Sequence, residues 1–409
     1  MSAVDAGYRT VFTGLAAIAP NGSTTERFWA ATLNGVTGIR PLTFFDASGY
    51  PVRVAGEVPD FTAGDLLEGR LVAQTDRWTQ IGFVAAARAL SDAGVELDDI
   101  DDYDISVITA ASSGGNEFGQ REIQKLWAQG PRFVSPYQSI AWFYAATTGQ
   151  VSIGHGIKGA CGVLVAEQAG GLTALAQARR LLKEDARMVV VGGTEAPLGP
   201  YAVACQASAG LFSQRDDPAR AYLPFDADAN GYVPGEGGAM FIVERMTDGH
   251  RLTADRLYGH LAGYAETFDP PPGSGREPGL RRAITHALDD ARIDPADVDV
   301  VFADGLGAAH ADQLEAEAIS AVFGPRQVPV TAPQCLVGRL QAGGAPLQVA
   351  MALLAIRDQV IPGTPSLSVL APGCQLSIVR QTREAPVRTA LVLARGYGGF
   401  NAAAVISAL

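Results

Sequence analysis

The sequence predicts an α/β fold built as one large duplicated unit, and three observations carry that reading. Short apolar runs alternate with amphipathic stretches from end to end, the order of strands alternating with helices. The 47 glycines and 24 prolines are dispersed as punctuation, and no low-complexity linker splits the chain. With 409 residues, 47% hydrophobic and 18% charged, the chain has enough apolar material for two to three domains or one large duplicated core.

The elements follow in order. Thr10–Ala17 reads as a buried strand entering a glycine turn. Arg77–Ala93 has helical spacing at Trp78, Ile81, Val84 and Leu90, with Gly94 placed to end it. Ile105–Ala110 is a strand followed by the small-residue loop Ala111–Gly115. Val163–Ala166 is a short strand that ends in the turn Glu167-Gln168-Ala169-Gly170-Gly171, and a helix begins near Leu172 and runs through Thr173–Leu182. Met188–Val191 is a buried strand ending at Gly192-Gly193. The second half alternates in the same way, with helix Leu280–Ala291 carrying Ile284, Leu288 and Ala291 on one face, strand Val298–Phe302, helix Ala311–Phe323 and strand Val328–Thr331. Helix Pro346–Arg357 starts with proline at its first position, and strands Thr389–Ala394 and Ala402–Ile406 flank a glycine-rich turn. The similar order in the halves suggests duplication, although no residue-level repeat is visible.

Composition excludes several classes. Lys plus Arg is 31 against 43 Asp plus Glu, a net charge of -12, the reverse of a nucleic-acid binder. Cys161, Cys205, Cys335 and Cys374 lie far apart without a C-x-x-C pair, so neither a metal site nor a disulfide framework is expected, and a reducing cytoplasm is the natural setting. Met1–Thr10 carries Asp5 and Arg9 but no basic-then-apolar signal, and no apolar run reaches the ~18 residues that a membrane helix needs. No cofactor is expected. Cys161, on the approach to a strand, reads as a core thiol, and His155 and His310 read as surface or loop residues.

The turn at Glu167–Gly171 is where many α/β enzymes present a nucleophile, because a helix N-terminus stabilises negative charge. Alone it reads first as a tight connection with two glycines. Three further segments shift that balance: Pro224-Phe225-Asp226 with Gly231-Tyr232-Val233-Pro234-Gly235-Glu236-Gly237-Gly238, then Val337–Gly344, then Gly396-Tyr397-Gly398-Gly399-Phe400-Asn401. In this order and spacing the chain resembles the β-ketoacyl synthase family, from Val11–Gly22 to Gly396–Asn401. The resemblance implies a thiolase fold, five-layered αβαβα with two mixed sheets and a buried helix layer. Its pseudo-repeated halves fall at 1–250 and 251–409 and form one compact unit.

Active members of that family use a cysteine nucleophile, two histidines and a lysine. A thiolate at a helix N-terminus accepts the acyl chain, and two imidazoles support malonyl decarboxylation. Carried over one at a time, the cysteine position holds Gln168. The first histidine position holds Asp304, the lysine position Gln334, and the second histidine position Arg339. An amide is not acylated as a thiolate is, and Asp304 and Arg339 do not reproduce two neutral imidazoles. With VAEQAGG at the turn, Gly115–Trp127 and Ser139–Gln150, the chain resembles the chain length factors, the KSβ subunits of bacterial type II polyketide synthases. The resemblance implies a KSα ketosynthase partner in a heterodimer and an acyl carrier protein as donor. It also implies a poly-β-keto intermediate held in a tunnel at the subunit interface, with the strand near Val163–Ala166 pairing across that interface. Arg179, Arg180 and Lys183 are one candidate docking patch for the acidic carrier protein, and equally a solvated helix face.

The family's gate positions fall on Asn116, Gly119 and Ile123, which share one helix face at i, i+3 and i+7, with Tyr201 from a proline turn. Small residues there imply a deep tunnel and a long product, nearer a decaketide than an octaketide. The plain alternative makes Ile123 and Leu126 core residues and Gly119 a point of close helix approach. Gln168 either retains malonyl-carrier protein decarboxylase activity through its amide or fills a dead site. Other readings are an active homodimeric ketosynthase, a purely structural partner, and a thiolase-fold protein with another ligand.

Overall fold

A computed structural model describes residues 8–184, 186–247, 257–271 and 273–409. Residues 1–7, which include Asp5, and the expected division at 250/251 lie outside these. Eleven strands form one continuous hydrogen-bonded order. They are β1 (Tyr8–Ile18), β2 (Ile105–Ala110), β3 (Cys161–Leu164), β4 (Met188–Glu195), β5 (Gly237–Thr247), β6 (Gly259–Phe268), β7 (Val300–Phe302), β8 (Pro329–Thr331), β9 (Ser377–Ile378), β10 (Thr389–Gly396) and β11 (Phe400–Ser407). The spatial order is β9-β8-β7-β10-β11-β6-β1-β5-β4-β2-β3.

Split at the β6/β1 contact, the two halves are copies of one plan. In the first, β1 pairs antiparallel with β5 and β5 antiparallel with β4, then β4, β2 and β3 run parallel. In the second, β6 pairs antiparallel with β11 and β11 antiparallel with β10, then β10, β7 and β8 run parallel. Among the described residues, the sheet passes from one half to the other through three residue pairs, Thr10–Leu261, Val11–His260 and Phe12–Gly259. The two expected sheets are therefore joined edge to edge by a short antiparallel ladder.

The helices repeat the same plan. Helices α1 (Arg77–Ala93), α2 (Asn116–Gln129), α3 (Gln138–Ala141), α4 (Ala146–Gly154), α5 (Gly170–Glu184) and α6 (Pro200–Ala207) belong to the first half; α7 (Leu280–Ala291), α8 (Ala309–Phe323) and α9 (Gly344–Asp358) belong to the second. Helix α5 joins β3 to β4, and α9 lies between β8 and β10. The two pack on each other, and each touches strands of both halves, so they form the central layer. Helix α9 is buried on every side from Gly344 to Ile356, as its lack of a polar face requires. Helices α1 and α4 cover the outer face of the first half, and α7 and α8 that of the second, which completes five layers.

Local chemistry sets the boundaries. Asp76 caps α1 by accepting from the Trp78 N–H at 3.2 Å, and Gly94 ends it in the left-handed region at φ 64°, as the spacing predicts. Helix α9 begins at Gly344, two residues before the expected start, so Pro346 sits at its third position, where the first turn still needs no N–H donor. Cys161 is exposed rather than in the core, because β3 is the last strand of the sheet and its outer edge has no strand partner among the described residues. His310 is exposed on α8, and His155 is half-buried at the end of α4, stacked on Phe83 at 5.1 Å. No helix among the described residues is long and apolar enough to cross a membrane.

Candidate functional site

The altered positions converge at the C-terminal ends of parallel strands, the usual place for chemistry in open α/β sheets. Gln168 follows β3, Asp304 follows β7, and Gln334 and Arg339 lie between β8 and α9. Arg339 is the centre. Its Nη1 lies 3.1 Å from Asp304 Oδ2, and its Nε and Nη2 lie 3.3 and 3.2 Å from the two oxygens of Glu167. Nη2 also donates to the Arg395 carbonyl. The guanidinium stacks near the Tyr232 ring at 5.9 Å. Asp304 is 1% exposed and Arg339 5%, whereas the Glu167 side chain is 19% exposed, so the network is buried at its Asp304 end and reaches the cavity at Glu167.

Backbone geometry serves this clamp. Glu167 holds φ 49°, a left-handed conformation uncommon for a side chain with a Cβ. Its carboxylate fixes that turn by also accepting the Tyr397 N–H at 2.8 Å. Asp304 accepts the Arg395 N–H at 3.1 Å, and its own N–H and that of Gly305 donate to Glu315 at 2.7 and 2.9 Å. Gln334 donates to the carbonyls of Ala303 and Asp304 at 2.9 and 2.6 Å, so it fastens the strand end instead of presenting a charge.

Burial pushes the Asp304 carboxyl upward, and the Arg339 guanidinium pulls it back. Arg339 loses stability as a cation through burial, but Asp304 and Glu167 more than compensate, and its pKa lies well above its ordinary value. Burial also drives Glu315 up to about 8. Chemically the network is a permanent cation held between two carboxylates, and neither a thiol nor an imidazole is one of its hydrogen-bonded members.

Gln168 is 2% exposed and does not line the cavity above the network. Its amide packs on the backbone of Gly344, where an added Cβ would stand only 2.3 Å from Nε2. Its Oε1 has no hydrogen-bond partner. The cavity itself holds about 460 Å³ and is lined by Arg339, Glu167, Asp304 and Tyr397 on one side and by Ser113, Cys205 and Gln206 on the other. A 3.0 Å bond from Ser113 Oγ to Gln341 ties the loop before α2 to the Arg339 segment.

That loop is positioned by Glu195, a residue sequence reasoning passed over. One carboxyl oxygen accepts the N–H groups of Ser112 and Ser113, and the other is buried without a partner. Burial raises Glu195 to about 8, against the pull of those two N–H groups. A carboxyl neutral in the fold but ionised when unfolded contributes stability below its ordinary value of 4.5 that is lost as pH rises towards 8. Glu195→Gln keeps the accepting oxygen, so its stability should fall less over this range, by about 2–4 kcal/mol. Denaturant midpoints at pH 5.5 and 8.5 check this.

The expected gate residues lie on and beside α2. Asn116 donates back to the Ser113 carbonyl at 2.9 Å, and Gly119 is buried. Ile123 is 52% exposed and Leu126 is also exposed, so neither is a core residue of this chain. Tyr201, 57% exposed, reaches the same helix because its N–H donates to Gln120 at 3.0 Å. Around them Trp127, Ile140, Trp142, Phe143 and Tyr144 are exposed, an apolar surface on α2, α3 and the segment after α3. Among the candidate basic residues, Arg179 pairs with Asp290 at 2.6 Å and Arg180 bonds Gln177.

Sequence reasoning missed Glu167, Glu195, Arg395 and Glu315 as parts of the site. One signal was available. A buried arginine where a neutral imidazole is expected demands new anions nearby, and Glu167 beside Gln168 was the obvious one.

Two profiles match the chain: the β-ketoacyl synthase N-terminal domain over residues 9–249 and the C-terminal domain over residues 258–368. Among curated relatives, the tetracenomycin polyketide synthase ketoacyl synthase beta subunit of Streptomyces glaucescens is 55% identical over 97% of both chains. The actinorhodin polyketide putative beta-ketoacyl synthase 2 of Streptomyces coelicolor is 48% identical over 97% of this chain and 98% of its own. Among solved structures, the ishigamide ketosynthase/chain length factor superposes with a TM-score of 0.91 at 24% identity, covering 99% of this chain and all of its own. At that identity the superposition establishes the shared fold.

Proposed function

Because this chain belongs to the β-ketoacyl synthase family, we propose that it is a chain length factor, the KSβ subunit of a type II polyketide synthase. In this reading it pairs with a catalytic KSα subunit and bounds the poly-β-ketone that the partner builds from malonyl-carrier protein. It works in the cytoplasm and needs no cofactor. The observation that carries the reading is the Glu167–Arg339–Asp304 network. A ketosynthase of this family needs a thiolate to carry the acyl chain and two neutral imidazoles to support malonyl decarboxylation, and this site offers an ion cluster in their place. The exposed aromatic surface on α2 and α3 fits a partner subunit, since a patch of this composition is costly to leave in water. A solved relative fold, the AntDE:AntF complex, is of a type II acyl-carrier protein with its ketosynthase bound to the hexaketide.

We read Gln168 as filling space at the end of α9. Its amide faces Gly344 instead of the cavity, which favours the dead site over the decarboxylase. The halves 1–250 and 251–409 act as one unit in this reading.

Co-expression with a KSα subunit tests the function. The expected result is a stable heterodimer that makes a polyketide of defined length, while this chain alone takes up no acyl group. Decarboxylation of malonyl-carrier protein by the heterodimer should be the same for wild type and Gln168→Ala. Covalent acylation of this chain alone, or unchanged product length when it is exchanged for another such subunit, would overturn the reading.

A further inference from the structure

The cavity of about 460 Å³ above the ion network has one wall that the chain-length reading leaves unused. It comes from the hairpin of β10 and β11, where Arg395 and Asn401 are cross-strand partners. Residues directly opposite in an antiparallel pair project from the same face, with Cβ atoms about 5 Å apart. Both of these residues line the cavity.

Each carries one buried polar atom without a partner. Asn401 is 1% exposed, and its Nδ2 donates to Asp269 Oδ1 at 2.8 Å and to the Gly399 carbonyl at 3.0 Å. Those two groups only accept, so the amide is fixed with Oδ1 as a free acceptor. Among the described residues nothing donates to it. Arg395 donates its backbone N–H to Asp304 at 3.1 Å and Nη1 to the Ala311 carbonyl at 2.7 Å, but its Nε is buried with no acceptor. An unmatched donor and an unmatched acceptor thus stand side by side, and buried polar groups are rarely left that way.

The rest of the lining selects the ligand. Leu211 and Leu306 give it apolar surface, and the rings of Tyr232, Tyr397 and Phe400 give it flat faces. The volume is in the range of small-molecule sites, ~300–1,000 Å³. Glu167 and Asp304 line the same cavity and disfavour an anion. The ligand is therefore neutral and flat, with one oxygen that accepts and one hydroxyl that donates. Ring closure of a poly-β-ketone, whose oxygens stand on alternate carbons, yields a ring with hydroxyls in a 1,3 relation. We propose that this cavity is a product-binding site for a released 1,3-dihydroxylated aromatic ring, with one oxygen accepting from Arg395 Nε and the other hydroxyl donating to Asn401 Oδ1. The proposal rests on the chain-length reading but not on the gate at α2.

The experiment measures binding by titration calorimetry to the purified heterodimer with KSα, without malonyl donor. The probes are 1,3-dihydroxynaphthalene and 1-naphthol, which lacks the second oxygen. The dihydroxy probe should bind at least fivefold more tightly. Asn401→Ala should abolish that preference. Leu306→Trp, which fills the cavity and leaves the hydrogen-bonding pair in place, should weaken both probes at least tenfold and attributes the binding to this subunit. Equal affinity for the two probes, or binding unchanged in Leu306→Trp, overturns the proposal. If the same preparation makes a polyketide of defined length, the proposal falls alone. A chain that does not pair with KSα takes the chain-length reading and this proposal down together.

Discussion

Arg339→Ala should be the most damaging single substitution at the site, destabilising the fold by about 3–5 kcal/mol. The reason is asymmetric. The arginine pairs with both Asp304 and Glu167, at 3.1 and 3.2 Å, and Asp304 is 1% exposed. Removing the cation leaves the buried Asp304 carboxyl without its ion-pair partner and beside a second carboxylate. Denaturant unfolding of the purified chain, wild type against variant, measures the loss. The combined variant Arg339→Leu, Asp304→Asn and Glu167→Gln should recover most of it, because no unpaired charge remains. A triple variant no more stable than Arg339→Ala would mean that packing of the arginine stem, and not charge balance, holds this region.

Gly119→Phe carries the second large effect, and on product instead of stability. Position 119 lies in the regular interior of α2, without a positive φ, so a side chain there is conformationally acceptable. Its Cβ would meet Gln138 and Trp142 at 3.6 and 3.8 Å, ordinary contacts for that atom, so the ring beyond it must displace those side chains and not the backbone of α2. Replacing glycine in a helix interior gains up to about 1 kcal/mol of helix propensity, which offsets crowding of the ring. The chain should therefore fold and pair. With the space at 119 filled, the main product should shorten by at least one two-carbon unit, read by mass spectrometry of the extract. An unchanged product from a normal heterodimer would remove Gly119 from the gate.

Much of the architecture was legible in sequence because periodicity and punctuation are local. The spacing of Trp78, Ile81, Val84 and Leu90 placed α1, and Gly94 ended it. The similar order of elements hinted at duplication, and the strand pairings turn that hint into two copies of one plan. Other expectations failed for non-local reasons. Cys161 looked like a core thiol because it stands on the approach to a strand, but the edge position of β3 exposes it, and an edge is a property of the sheet. Pro346 looked like a helix start, yet the Gly343-Gly344 backbone already turns into the helix. Ile123 and Leu126 have the composition of a core and lie on the surface, which a single chain's pattern does not distinguish from a partner-facing side.

By itself the sequence determined four residue types, Gln168, Asp304, Gln334 and Arg339, at the positions where the resemblance implies a thiol, two imidazoles and a lysine. Chemistry follows from residue type alone there, since an amide and a guanidinium lack the required nucleophilicity and neutral nitrogen. Only the tertiary structure decided what the replacements do. It placed Glu167 and Asp304, which follow strands in different halves of the chain, on either side of Arg339, and it turned Gln168 away from the cavity onto Gly344. It also set Gln138 across from Gly119. A charge in a fold is stabilised or stranded by what surrounds it within about 4 Å. Those neighbours come from strand ends and helices distant in the chain, so burial and pairing emerge only when the layers close.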